Sequence, residues 1–280
     1  MKKFLFTLLV LLFFTPCVNA EILKFAQVSD VHYPKIGGPA YEGRNFDFAI
    51  KNYNKAIDMI NNSDVDYVFF TGDIVDKSFE EVFDDFFRTT SKLNKKYYIS
   101  LGNHDSNTPN GFTKEDTLEY LKNKTHYQQS NASYHIVLNE NFIAVMLDGS
   151  NDFEIDAQGF YSKETIKWFE KILKENPDKQ FLVFQHFPII EPVKDSAYVH
   201  KHSTRKKRNY VRLLKKYNNI VLVASGHYHV SCEKEKYGVK HYSTSALFLE
   251  DSYYRVFEID HDNGKINSIK TNLVQVKEDL

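Results

Sequence analysis

A chain of 280 residues with 42% hydrophobic and 26% charged side chains, 11 Gly and 7 Pro is not a disordered tail, a collagen-like fibre or a disulfide-dense mini-protein. Lys and Arg number 36 against 37 Asp and Glu, a formal charge of −1, so any electrostatic steering is local and nothing global favours nucleic acid as a partner. The 23 Phe and 18 Tyr against one Trp supply ample aromatic surface for a core at this length.

The N-terminal segment reads as a signal. Met1-Lys2-Lys3 is a basic start, residues 4–14 are almost wholly apolar, and Val18-Asn19-Ala20 precedes a cut at Glu21. The apolar run is shorter than the ~20 residues a spanning helix needs, so the expectation is a signal over 1–20 and export to the periplasm or beyond, with a retained anchor as the alternative. Cleavage takes away Lys2, Lys3 and Cys17, moving the formal charge to −3 and leaving Cys232 alone. No internal disulfide is then possible.

Beyond residue 20, short apolar runs alternate with amphipathic stretches, the pattern of an α/β sandwich. Strands are predicted at 23–28, 67–70, 97–101, 134–138, 142–147, 181–185 and 220–224. Three more, at 239–243, 254–259 and 266–274, have no helix between them and predict antiparallel hairpins, with Asp262-Asn263-Gly264 as turn. Helical stripes run through Ala49, Tyr53, Ala56, Ile57 and Ile60, through Val82, Phe83, Phe86 and Phe87, and through Ile166, Phe169, Ile172 and Leu173. All three read as core-facing. Ser78 with Glu81 predicts a capping box, and Thr113 with Asp116 a weaker one. No linker or repeat interrupts 21–280, which reads as one domain.

Residues able to bind metal gather where predicted strands end. Ser29-Asp30-Val31-His32 follows the first strand and Thr71-Gly72-Asp73-Ile74-Val75-Asp76 the second. Gly102-Asn103-His104-Asp105, His186 and Ser225-Gly226-His227-Tyr228-His229 follow the strands at 97–101, 181–185 and 220–224. In α/β folds the carboxyl ends of neighbouring strands share one crevice, so positions far apart in sequence converge there. Asp, Asn and His give mixed oxygen and nitrogen ligation suited to Zn, Mn or Fe. The set exceeds what one ion coordinates, and carboxylates bridge cation pairs, so two ions are expected.

The ordered set resembles the calcineurin-like metallophosphoesterases, whose Asp-x-His, Gly-Asp-x-x-Asp, Gly-Asn-His-Asp, His and Gly-His-x-His pattern is met in full from Asp30 to His229. The resemblance implies an αββα sandwich of two mixed β-sheets flanked by helices, with a dinuclear site at the C-terminal ends of the strands. It assigns Asp30, His32, Asp73 and His229 to one metal and Asp73, Asn103, His186 and His227 to the other. Asp73 is then the bridge, and Asp76 is not a ligand. Purple acid phosphatases place a Tyr ligand at Asp76 and differ in the first motif, which disfavours that branch.

The activity so implied is hydrolysis of phosphate esters. Two cations would lower the pKa of a bridging water until hydroxide exists near neutral pH. His104 would give a proton to the departing alkoxide, and Asp105 would orient that imidazole and favour its charged form. Diesters of cyclic-nucleotide, glycerophosphodiester or lipid-headgroup type are the expected substrates. Monoesters or phosphoproteins on the same metal core are the first alternative, and a non-catalytic secreted metal-binding protein is the second.

His126, His135, His200, His202, His241 and His261 lie outside the pattern and read as surface or hydrogen-bonded residues. Arg205-Lys206-Lys207-Arg208 precedes Val211, Leu213 and Leu214 and reads as a solvated helix face, with a phosphate or membrane contact as the lesser reading. Specificity is expected in the loops at 33–45, 106–112 and 188–203.

Overall fold

The computed structural model describes residues 21–36, 46–124, 131–194 and 196–277. The expected signal, Cys17, His126 and most of the 33–45 loop lie outside the described residues.

Two sheets face each other, each with helices on its outer side. The first has the order β11 (Lys265–Gln275), β10 (Tyr253–Asp262), β1 (Glu21–Val28), β2 (Tyr67–Thr71), β3 (Lys96–Ser100). The second runs β4 (Tyr134–Val137), β5 (Phe142–Leu147), β6 (Gln180–Gln185), β7 (Ile220–Ser225), β9 (Val239–Ser243), β8 (Cys232–Lys236). β1, β2 and β3 are mutually parallel, as are β5, β6, β7 and β9. Helices α1 (Phe46–Asn61) and α2 (Glu80–Thr90) cover the first sheet, and α4 (Lys163–Glu175) and α6 (Arg208–Lys216) the second. The remaining helices are α3 (Lys114–Lys124) and α5 (Ser196–His202).

The central strands are apolar throughout because both of their faces are covered, and the two-residue period sorts their side chains. Phe142, Ala144 and Met146 of β5 and Leu182 and Phe184 of β6 turn to the seam between the sheets, while Ile143, Val145, Leu147, Phe181 and Val183 turn to α4 and α6. In that seam Phe69 of β2 stacks on Phe184 of β6 with ring centroids 3.8 Å apart, and Phe25 stacks on Phe257 at 4.7 Å. Truncating one of these rings to Ala costs about 3–5 kcal/mol. The seam fixes the two sets of parallel strands with their carboxyl ends at one edge.

Some expectations fail for identifiable reasons. β10 and β11 do form the predicted hairpin, with Asn263 (φ 48°) and Gly264 (φ 82°) at its turn. β9, however, pairs with β7 and with the unpredicted β8 rather than with β10. The charged run Cys-Glu-Lys-Glu-Lys of β8 has too little apolar content to signal a strand; it is an edge, where charge is tolerated. Ser78 does not cap α2, whose N-cap is Phe79; its hydroxyl bonds Thr108 Oγ1 and the Phe112 carbonyl. The weaker box forms instead, with Thr113 N donating to Asp116 Oδ2 and Asp116 N to Thr113 Oγ1. The basic run is not a helix face: Lys206 is left-handed (φ 48°) and only Arg208 enters α6.

Candidate metal centre

The five motif loops leave β1, β2, β3, β6 and β7 at this common edge and are stitched together across the two sheets. His227 N donates to both carboxylate oxygens of Asp30, at 3.2 and 3.1 Å, and Gly226 N donates to the His186 carbonyl at 3.0 Å. Turning the chain sharply at a strand end while aiming side chains into one crevice requires unusual backbone. Asp30 (φ 51°), His32 (45°), Asp73 (50°), His227 (71°) and His229 (55°) are all left-handed, at a cost of roughly 1–3 kcal/mol each. Asp and His tolerate that region better than most side chains. Gly72 has φ 82°, and a Cβ there would lie 2.6 Å from the His186 ring. At Gly226 a Cβ would lie 2.3 Å from Asp30 Oδ2, so neither glycine admits a side chain.

Asp30, His32 and His229 bring potential ligand atoms within 4.8 Å of one another, and so do Asp73, His186 and His227. Asp30 Oδ1 lies 3.3 Å from His229 Nε2. Asp73 Oδ2 stands between the groups, 3.5 Å from His32 Nε2 and 3.2 Å from His186 Nε2. Asn103 Oδ1 is 3.2 Å and His227 Nδ1 3.1 Å from that same His186 nitrogen. The arrangement brings together all seven residues that the sequence singles out as ligands.

The donor set fits cations. His186 Nδ1 faces the Thr71 carbonyl at 2.8 Å and His227 Nε2 the Ala157 carbonyl at 2.8 Å. A carbonyl only accepts, so those nitrogens carry protons; the opposite nitrogen carries a lone pair on neutral His227, and on His186 it gains one when a cation displaces the second proton. Lone pairs of His186, His227, Asp73 and Asn103 thus converge on one point. Their 3.1–3.2 Å separations from His186 Nε2 approach the roughly 3.4 Å edge of a tetrahedral site with ~2.1 Å bonds.

The electrostatics point the same way. Burial alone would hold the His186 proton off, but the charges of Asp73 and Asp30 prevail and raise its pKa to about 9. Burial likewise opposes ionisation of Asp73, yet the imidazoles of His186, His104 and His32 hold its carboxyl well below the usual range. Burial and the His186 charge keep His227 neutral, the form that ligates. A positive charge between Asp73 and His186 is what this pocket favours.

One expected role is corrected. Asp105 does not touch the His104 ring: Oδ2 accepts from the backbone N–H groups of Asp73 (2.9 Å) and Gly102 (2.8 Å), and Oδ1 from Val75 (3.2 Å). It clasps the loop that carries Asp73 to the loop after β3. Burial and the Asp73 carboxylate raise its pKa to about 7. His104 is instead oriented by Asp76, whose carbonyl lies 2.8 Å from His104 Nδ1 and whose Oδ1 is 3.3 Å from His32 Nδ1. Nothing in the sequence marks a backbone carbonyl as an orienting group; the Asp76 carboxylate is visible only as the last letter of Gly-Asp-x-x-Asp.

Sequence reasoning also missed neighbours of the centre. Phe248, after β9, stands edge-on to His32 at 4.9 Å and to His229 at 5.0 Å. The His202 ring comes within 5.5 Å of that of His227. His135, His200, His241 and His261 do not join the centre. The Ala157 carbonyl reaches it from the loop at 148–161, which was not among the expected specificity loops. Lys114 Nζ fastens that loop through Asp148 Oδ2 (2.5 Å), Ser150 O (2.9 Å) and Asp152 Oδ1 (2.7 Å).

The pattern of the calcineurin-like phosphoesterase family matches residues 23–231. The chain belongs to that family. It is 29% identical over 205 residues to a probable glycerophosphodiester phosphodiesterase of Arcobacter nitrofigilis, covering 72% of this chain and 70% of the relative. To the 3',5'-cyclic adenosine monophosphate phosphodiesterase of Haemophilus influenzae it is 25% identical over 229 residues, covering 82% and 78%. Among solved structures it resembles a dimetal phosphatase from Danio rerio, with TM-score 0.68 at 14% identity over 91% of this chain and 99% of that one; that likeness is one of fold. With the family shown and His and Asp clusters forming two cation sites, this metallophosphoesterase is a dinuclear metal-dependent hydrolase of phosphate esters.

Proposed function

We propose that the enzyme hydrolyses phosphodiesters. The observation that carries this reading is the pair of diesterase relatives, aligned over 70% and 78% of their own lengths. Asp30, His32, Asp73 and His229 would hold one cation and Asp73, Asn103, His186 and His227 the other. Bound there, such ions supply Lewis-acid polarisation of the phosphoryl oxygens and a water acidic enough to attack near neutral pH.

The protein's own contribution begins at His104. Its Nδ1–H donates to the Asp76 carbonyl, which leaves Nε2 as the site that gains and gives the exchangeable proton. Protonated there, His104 can deliver a proton to the departing alkoxide, a contribution of typically 10²–10⁴-fold. The Asp73 backbone N–H is held by Asp105 and its Oδ1 by the His104 N–H at 2.8 Å, so the bridging carboxylate and the proton donor move as one unit. Export by the N-terminal segment belongs to the same reading, placing the substrate outside the cytoplasm.

The test is a panel of mono- and diesters assayed after reconstitution with Mn, Zn or Fe. A kcat/KM at least tenfold higher for diesters supports the reading; the reverse order would assign the enzyme to monoesters.

A further inference from the structure

Residues 148–161, between β5 and α4, carry an apolar tip on a rigid stem. Phe153 is 91% exposed, Ile155 38% and Phe160 39%. Such side chains are seldom presented together to water without a partner. The stem is firmly tied: Asn107 Nδ2 donates to the Asn151 carbonyl at 3.1 Å, and Arg205 N donates to the Gly159 carbonyl at 2.7 Å. Through Ala157 the same loop holds the imidazole of His227, so the loop borders the metal centre.

Beside the base of the loop, where Phe160 N closes on the Gly149 carbonyl at 2.8 Å, runs the basic segment that the function did not absorb. Phe160 and Arg205 are bridged backbone to backbone, and the Lys206 ammonium lies 5.6 Å from the Phe160 ring centroid. Arg205 neutralises Asp156 at 2.5 Å and Lys207 pairs with Glu191. Lys206 and Arg208 carry no ion pair among the described residues and stand exposed. Exposed rings flanked by unneutralised cations form the chemical complement of an anionic lipid interface, where apolar groups enter below the headgroups and Lys or Arg meet the phosphates. Glu154, also exposed at the tip, and Asp152, 69% exposed and sharing Lys114 with Asp148, oppose this and keep the attraction reversible.

We propose that the 148–161 loop, with Lys206 and Arg208, is a docking surface for an anionic phospholipid bilayer, seating the metal centre against the membrane. The proposal is independent of diester preference, because it concerns binding.

The test is co-sedimentation of the full, metal-reconstituted chain with vesicles of phosphatidylcholine alone or mixed equally with phosphatidylglycerol. The mixed vesicles are expected to carry the protein down, less so at high salt. The double change F153S and I155S is expected to lower the partition coefficient about tenfold, and K206E with R208E to lower it comparably and flatten the salt dependence. E154K is expected to raise it. Turnover of a water-soluble ester and Tm, unchanged in F153S/I155S, show that the fold is intact. Absence of binding to the mixed vesicles, or binding indifferent to Phe153 and Ile155, overturns the proposal. So does a wild-type dimer that F153S/I155S converts to monomer with vesicle binding unaltered, which would make the tip an interface between copies.

Discussion

The carbonyl of Asp76 lies 2.8 Å from Nδ1 of His104, so a peptide group fixes the tautomer of the proposed proton donor. A carbonyl orients an imidazole without giving it the full charge of a neighbouring carboxylate. The proton donor and the metal ligands can therefore be separated by mutation.

Replacing His104 with Ala should lower kcat on a diester with a poor leaving group by about 10²–10⁴-fold and leave metal content nearly unchanged. A nitrophenyl ester, whose leaving group needs little protonation, should suffer less. Steady-state kinetics across leaving groups and elemental analysis of the same preparation check this.

Asp105→Asn should act on the scaffold. One side-chain oxygen remains for the three backbone donors that Asp105 now holds, and each buried donor left unmatched costs about 1–3 kcal/mol. The expected result is a lowered Tm and weaker metal retention, with an unchanged dependence of rate on leaving-group pKa among the loaded molecules. A selective loss on poor leaving groups at full metal occupancy would restore the imidazole-orienting role to Asp105.

Asp76→Asn keeps the backbone carbonyl for His104 but removes the charge beside His32 Nδ1, now 3.3 Å away. Metal affinity should fall about 10–100-fold, read by competition with a chelating dye, while kcat at saturating metal falls much less.

These contrasts show what the sequence could and could not reveal. Asp30, His32, Asp73, Asn103, His186, His227 and His229 were legible because each sits just past an apolar run long enough to be read as a buried strand. The hydrophobic pattern thus supplied both the layers and the edge at which they end. The true partners of Asp105 were not legible, since a carboxylate bonded to peptide N–H groups leaves no pattern in residue identities. β8 was hidden by its charges, and the pairing of β9 by the absence of any local cue for a chain that changes sheets. His202, at the end of α5, and Phe248, after β9, reach the centre by a course that follows from tertiary packing alone.

Outside the site, His241 on β9 gives a pH signature of stability. It is 7% exposed, and burial lowers its pKa from 6.5 to about 4, against the opposing bond to the Lys236 carbonyl. Below pH 6.5 the unfolded chain therefore binds a proton that the folded chain refuses. Its contribution is complete above that pH and is lost as pH falls towards about 4, by up to ~3 kcal/mol. Denaturant unfolding of wild type and His241→Gln at stepped pH should show a shallower decline for the variant across that window.

Beneath the predictions at the site lies the proposal that Asp73 joins two cation sites built from five distant loops. Anomalous diffraction at the Mn absorption edge, on crystals of the reconstituted enzyme, tests it most directly. The account predicts two peaks about 3.5–4 Å apart, flanking Asp73 Oδ2, with Asp30, His32 and His229 around one and Asn103, His186 and His227 around the other. A single peak, or two peaks that do not share Asp73, would contradict it.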